Sequence, residues 1–129
     1  MSTVVSASKE AVIREMFDAV DRQDAAAFVA YLSDNVSFRF GNMPILVGRE
    51  AVKEGSDAFY NCIRSLKHEY LQFFDNGDSW IVEQTVHYVD RWGRDHSLPC
   101  VNVLRFTEGR ISDYRIYMNN SPLFIPPAT

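Results

Sequence analysis

The stretch that decides the fold is His68–Tyr88, HEYLQFFDNGDSWIVEQTVHY. Two strand-like runs, rich in aromatic and β-branched residues, flank Asp75-Asn76-Gly77-Asp78. Asn-Gly between two such runs is the strongest short-range hairpin signal, because both turn positions take positive φ. Read as a two-residue turn, Asn76-Gly77 sets Asp75 opposite Asp78 and His68 opposite Thr85. His87 is then the diagonal neighbour of His68 on the same face, about 7–8 Å away between backbones. Tyr70 and Glu83 share that face.

The pattern extends in both directions. Downstream, a turn near Arg91-Trp92-Gly93-Arg94 leads to a strand over about 96–106, and Thr107-Glu108-Gly109-Arg110 turns into a last strand over 111–118. A two-residue Trp92-Gly93 turn places Asn102 on the His68 face; a one-residue bulge places it on the other. Upstream, Val12, Ile13, Met16, Phe17 and Val20 form one apolar stripe of a helix over about 9–22, capped by Ser8 with Glu10 in its first turn. Asp24 caps a short second helix containing Phe28 and Leu32, and Ser33-Asp34-Asn35 stops it. Val36, Phe38 and Phe40 alternate with polar residues as in a half-buried strand. Residues 41–48, with Pro44, read as a loop. A third helix over about 49–66 buries Val52, Phe59, Cys62, Ile63 and Leu66. The tail from Asn119, with three prolines, reads as irregular. The order helix, helix, strand, helix, then a four-strand meander predicts an α+β fold: a curved mixed or antiparallel sheet wrapped around three N-terminal helices.

Composition narrows the class. At roughly 100–200 residues per domain, 129 residues predict one domain over 1–129, with 1–7 and 120–129 as extended tails. An apolar share of 47%, with 13% aromatic, is too rich for disorder. Apolar runs are a few residues long, short of the roughly 18 that read as a membrane span. The first ten residues show no basic start with an apolar stretch, so a cytoplasmic protein is expected. A net charge of −4 without any Lys/Arg block argues against nucleic acid. Cys62 and Cys100 make no metal array and are expected to be reduced. No phosphate loop, nucleophile elbow or zinc spacing occurs, so neither metal nor organic cofactor is expected.

The candidate chemistry lies on the hairpin face. His68, His87, Thr85 and Tyr70 are read either as a solvated sheet face or as the wall of a pocket. Asp21 lies one turn after Phe17, at a helix C-terminus, where the dipole disfavours a carboxylate. It is read either as a solvated helix end or as the partner that orients a histidine for general-base work. Asn102 interrupts the apolar run 100–104 and needs partners, from a ligand or from a strand irregularity. Tyr31, Tyr60, Tyr88 and Trp92 are pocket or core aromatics, and His96, beside a turn, reads as exposed.

The element order, with Ala19-Val20-Asp21-Arg22-Gln23-Asp24, Val103-Leu104-Arg105-Phe106-Thr107-Glu108-Gly109-Arg110-Ile111 and Ile116-Tyr117-Met118, resembles the nuclear transport factor 2-like superfamily. That group includes ketosteroid isomerases, SnoaL-like polyketide cyclases, limonene epoxide hydrolases and scytalone dehydratases. The resemblance covers nearly the whole chain and implies a cone of bent sheet and helices around a pocket; it also implies a homodimer. The catalytic positions of ketosteroid isomerases correspond to Met16, Phe40 and Pro99, and those of limonene epoxide hydrolases to His87, Thr85 and Ile116, so neither set is kept. The pattern of scytalone dehydratase and the similar hexachlorocyclohexane dehydrochlorinase is better kept. Asp21 and His68 match its Asp–His base, His87 its second histidine and Asn102 its asparagine. The two carbonyl-assisting tyrosines correspond to Val20 and Phe40, and the dehydrochlorinase lysine to Met16.

The resemblance therefore implies a cofactor-free enzyme in which His68, held by Asp21, removes a proton from a small apolar, carbonyl-like substrate. His87 would act as general acid, with Asn102, Thr85, Tyr31, Tyr60, Phe40 and Met16 around the substrate. The reaction class would be dehydration, isomerisation or cyclisation. Two other readings stand beside it: a pocket that binds a small ligand without chemistry, and a dimerisation module whose cone is filled by side chains.

Overall fold

The computed structural model describes residues 8–128. The expected tail over 1–7 lies outside them. Helix α1 spans Lys9–Asp21 and α2 spans Ala25–Val29. Each starts where a side chain satisfies a free helix N–H: Ser8 accepts from Ala11, and Asp24 accepts from Ala27. Strands β1 (Leu32–Phe40) and β2 (Leu46–Val47) precede α3 (Arg49–Tyr60). The meander β3 (Ile63–Asn76), β4 (Ser79–Asp90), β5 (Asp95–Thr107) and β6 (Arg110–Tyr117) follows, and a 3-10 turn over Ser121–Phe124 ends the regular structure. None of the described helices is long and apolar enough to cross a membrane.

The sheet is mixed, with strand order β2-β1-β6-β5-β4-β3. β1 runs parallel to β6, and every other pair is antiparallel. The inner face carries Leu66, His68, Val82, Val86, Tyr88, Cys100, Asn102, Leu104 and Tyr114, all buried. α1 lays Ile13, Met16, Phe17 and Val20 against this face. The fold is thus the α+β architecture that the nuclear transport factor 2-like resemblance implies.

Several boundaries differ from the expectations, each for a physical reason. Ser33, Asp34 and Asn35 lie within β1 rather than ending a helix. Leu46 and Val47 pair with Phe38 and Ser37, making a short strand inside the expected loop. The third helix stops at Tyr60, and Ile63 and Leu66 belong to β3. Their three-residue spacing imitates a helix because Arg64 is an extra residue between the pairs Ile63–Asp90 and Ser65–Val89. Such a bulge puts two residues three apart on the same face of a strand. In the tail, the Ser121–Phe124 turn with Pro122 in its first turn buries Leu123.

The decisive hairpin also has another register. Asn76 pairs with Ser79, so the turn residues are Gly77 and Asp78, with Gly77 at φ +68°. Asn-Gly-Asp offers two overlapping two-residue turns, and contacts elsewhere choose between them. Lys9 Nζ reaches the Gly77 carbonyl and the Asp78 carboxylate at 3.1 and 3.2 Å, Trp80 Nε1 donates to the Gly77 carbonyl, and the Phe106 N–H donates to the Asp78 carbonyl at 2.7 Å. A second bulge at Leu71 then shifts the pairing again, so that His68 lies opposite Val86 rather than Thr85.

Candidate active site

Asp21 is the last residue of α1. The chain turns away there through Arg22 and Gln23, the latter at φ 56°, before Asp24 starts α2. This geometry aims the Asp21 carboxylate across to β3. It accepts the backbone N–H of His68 at 3.2 Å to both oxygens, and its Oδ1 lies 2.6 Å from His68 Nδ1. The Lys67 ammonium stands 3.9 Å from Oδ2. A carboxylate only accepts hydrogen bonds, so Nδ1 carries the proton, and in the neutral ring Nε2 holds the lone pair. The ring packs on Phe17 with centroids 4.5 Å apart. Nε2 has no hydrogen-bond partner among the described residues, and His68 lines the main cavity.

That cavity measures about 1180 Å³. Its walls are Val20 and Phe28 from the helices, Phe38 and Phe40 from β1, Phe59 and Tyr60 from α3, and the inner face of the meander. Asn42, Met43 and Pro44 from the β1–β2 loop, and Asn119, Asn120, Ser121 and Phe124 from the tail, complete the lining. No Asp, Glu, Lys or Arg side chain among the described residues lines it, so it suits an uncharged ligand. A cone filled by its own side chains is therefore not what this chain builds.

A polar chain crosses the inner face beyond His68. Gln84 Nε2 donates to Asn102 Oδ1, Cys100 Sγ reaches the same oxygen at 3.3 Å, and Asn102 Nδ2 donates to the Tyr114 hydroxyl at 3.4 Å. Burial pushes the Cys100 thiol up to about 12, the Gln84 hydrogen bond opposing it. Burial also raises the Tyr60, Tyr88 and Tyr114 hydroxyls well above the ordinary phenol range. These phenols stay protonated near neutral pH.

The structure separates some of the residues expected together. Asn102 does share the inner face with His68, although both turns differ from the expected ones. The β4–β5 turn spans three residues, Arg91-Trp92-Gly93, between Asp90 and Arg94, and the parity change it makes cancels the one on β3. Phe40 and Tyr60 line the cavity. His87 and Thr85 do not: the register places them on the outer face, opposite Lys67 and Glu69. His87 bonds Ser97 Oγ at 2.8 Å and Glu69 Oε1 at 2.7 Å there, in the open. A general-acid role opposite His68 is closed to it. Met16 is fully buried in the core beneath α1, and the Tyr31 hydroxyl turns to Glu15 at 3.3 Å, so neither reaches the cavity.

Two features escaped the sequence reading. Tyr114 was hidden because Ser112 is one residue extra in β6, which makes Ile111 and Tyr114 share a face at spacing three. Asp90 is the other. Its side chain is fully buried and takes hydrogen bonds from the Trp92 and Arg94 backbones, from Arg94 Nε at 2.8 Å and from His96 Nε2 at 2.8 Å. Burial opposes the charge, but the His96, Arg94 and Trp92 hydrogen bonds outweigh it and hold the carboxyl well below its ordinary range. His96 is therefore largely covered rather than exposed. Arg94 also donates to the Ile125 carbonyl, so this cluster ties down the tail that forms one edge of the cavity. Among the described residues no group of His, Cys, Asp and Glu side chains is arranged to hold a metal ion.

Solved structures share this architecture. An NTF2-like protein of unknown function from Burkholderia pseudomallei superposes with a TM-score of 0.83 at 19% identity, covering 92% of this chain and 95% of that one. An LEH-like epoxide hydrolase from M. tuberculosis gives 0.74 at 14% identity, over 88% and 84%. The epoxide hydrolase/cyclase-like enzyme SalBIII, of pyran ring formation in the polyether salinomycin, gives 0.75 at 19% identity, over 87% and 91%. At these identities the likeness is one of fold. The family model of the SnoaL-like domain matches residues 13–114, which hold Asp21, His68 and Asn102 together with most of the cavity wall; the chain belongs to the SnoaL-like domain family.

Proposed function

We propose that this protein is a cofactor-free enzyme acting on a neutral, largely apolar carbonyl compound, with His68 as its general base. The observation that supports it is the 2.6 Å contact of Asp21 with His68 Nδ1, which leaves Nε2 as the free nitrogen of a side chain that lines an uncharged cavity. Nε2 would take a proton from the carbon next to the carbonyl. The C–H bond breaks, an N–H bond forms, and the electron pair moves to the carbonyl oxygen as an enolate. The imidazolium so formed lies against the Asp21 carboxylate, which stabilises it. Collapse of the enolate follows one of three courses. The imidazolium returns its proton to another carbon, giving isomerisation. It protonates a departing β-hydroxyl, giving water and an alkene. Or the enolate carbon bonds to an internal carbonyl carbon, whose π bond opens to an alkoxide that takes the proton from the imidazolium, giving cyclisation. Because His87 faces outward, His68 alone carries both proton transfers.

Exchange of carbon-bound hydrogen tests this without knowledge of the natural substrate. Neutral ketones such as 2-tetralone are incubated with the protein in D₂O, and loss of the α-proton signal is followed by NMR. General-base catalysis of this kind contributes about 10²–10⁴-fold, and His68→Ala should remove that part. Equal exchange by the His68→Ala protein and the wild type would refute the assignment. Ketone binding with no exchange by the wild type would favour a binding role without chemistry.

A further inference from the structure

We propose that Tyr114, held by Asn102, is the hydrogen-bond donor that receives the carbonyl or ether oxygen of the ligand in this cavity. The proposal takes from the preceding reading only that the ligand is a neutral oxygen-bearing compound. It does not require His68 to be the base.

Asn102 is 1% exposed on β5, and its side-chain oxygen already accepts from Gln84 Nε2 and Cys100 Sγ. An amide oxygen has two lone pairs, so its capacity is filled and the amide plane is set. The amide nitrogen then points at Tyr114 and donates to its hydroxyl oxygen at 3.4 Å. With that oxygen accepting, the Tyr114 proton must turn elsewhere, and none of the described residues accepts it. The ring cannot swing to find a partner. It is wedged edge-on among Phe17, Phe28 and Phe38, with centroids 6.3, 6.0 and 5.2 Å away. Tyr114 lines the cavity together with Asn102 and His68.

A buried hydroxyl without an acceptor is costly, and a ligand oxygen removes that cost. The class of acceptor follows from the surroundings. Among the described residues no Lys or Arg side chain lines the cavity, which disfavours an anion, and a donor group would meet another donor at the Tyr114 hydroxyl. A ketone, quinone, lactone or ether oxygen fits. Burial, reinforced by the acidic groups of Cys100, Tyr60, Tyr88 and Tyr70, keeps the phenol protonated. Tyr114 and His68 both pack on Phe17, so an oxygen seated on Tyr114 brings the carbons beside it towards the imidazole. The carbonyl-assisting tyrosines that the dehydratases carry at the positions of Val20 and Phe40 would thus have a counterpart on a different strand.

The test compares two probes of one shape: 2-acetylnaphthalene, and 2-isopropenylnaphthalene, in which a methylene replaces the oxygen. A single buried hydrogen bond should make the wild type prefer the ketone by about tenfold. Tyr114→Phe should bring the two affinities together by weakening the ketone alone. The bound carbonyl stretch, read by infrared difference with a ¹³C label, should move up in Tyr114→Phe. It should move down when 3-fluorotyrosine, a stronger donor, is placed at 114. The fluorinated protein keeps the test open if Tyr114→Phe fails to fold. His87→Gln, a change on the outer face, should leave the ketone preference intact, whichever way the exchange experiment turns out. Equal binding of both probes by the wild type would overturn the proposal. So would a preference that survives Tyr114→Phe or disappears in His87→Gln, or a stretch that fluorination does not move.

Discussion

The carboxylate of Asp21 holds His68 in two places, by the backbone N–H at 3.2 Å and by the ring Nδ1 at 2.6 Å. One side chain at the end of α1 therefore positions both the strand and the imidazole it carries. The expected signature is a single ring tautomer. ¹⁵N NMR of His68 should show Nδ1 protonated and Nε2 bare in the neutral ring. Asp21→Asn should populate the other tautomer and slow ketone exchange by about 10²-fold. An unchanged tautomer in the variant would separate the two residues functionally.

Phe17 is the second support. It is fully buried, lies under the His68 ring, and shares the aromatic wedge around Tyr114. Phe17→Ala should lower unfolding stability by about 3–5 kcal/mol, read from urea denaturation. A loss below about 1 kcal/mol would mean that the neighbouring rings collapse into the space, contrary to the packing described.

Asp90 makes stability depend on pH. Its carboxyl is held below its ordinary range, so the unfolded chain binds its proton first as pH falls. The stabilisation is present above the unfolded value of about 3.9 and is lost as pH drops from there towards the folded value. Asp90→Asn should melt at a lower temperature than wild type near neutral pH, and the gap should close in acid. Melting curves across that range check the sign. A gap that widens in acid would contradict it.

The two thiols should react very differently. Cys100 is buried, with its thiol pushed up to about 12, whereas Cys62 is half-buried at the cavity wall. Because the thiolate is the reactive form, a disulfide reagent should modify one thiol in the native protein and the second only on unfolding. Cys62→Ser should remove the fast phase, and bound 2-acetylnaphthalene should slow it. Prompt labelling of both thiols would show a more open interior than the one described.

Much of the fold can be read directly from the residues. The stripe Val12 to Val20 gives α1, Ser8 and Asp24 give the helix starts, and alternation over 79–90 gives β4. Asp21 and His68 are also legible, because resemblance pairs them and the structure sets them 2.6 Å apart. What stays hidden is parity. An extra strand residue such as Arg64, Leu71 or Ser112 has no composition of its own, yet each exchanges the two faces for everything beyond it. That is why His87 and Thr85 face outward and why Tyr114 escapes notice. The choice between the overlapping turns Asn76-Gly77 and Gly77-Asp78 rests on Lys9, Trp80 and Phe106, contacts that local sequence does not announce.

Bulges at Arg64 and Leu71 bracket the segment that carries His68. Between them, Leu66, His68 and Tyr70 face inward while Lys67 and Glu69 face out. A one-residue slip of that segment against β4, with both extra residues gathered at one end of it, would turn it over and offer the cavity an ammonium and a carboxylate in place of the imidazole. The two irregularities thus give β3 slack enough to present either face of this segment, and the Asp21 carboxylate, gripping both the backbone and the ring of His68, selects the face that carries the imidazole.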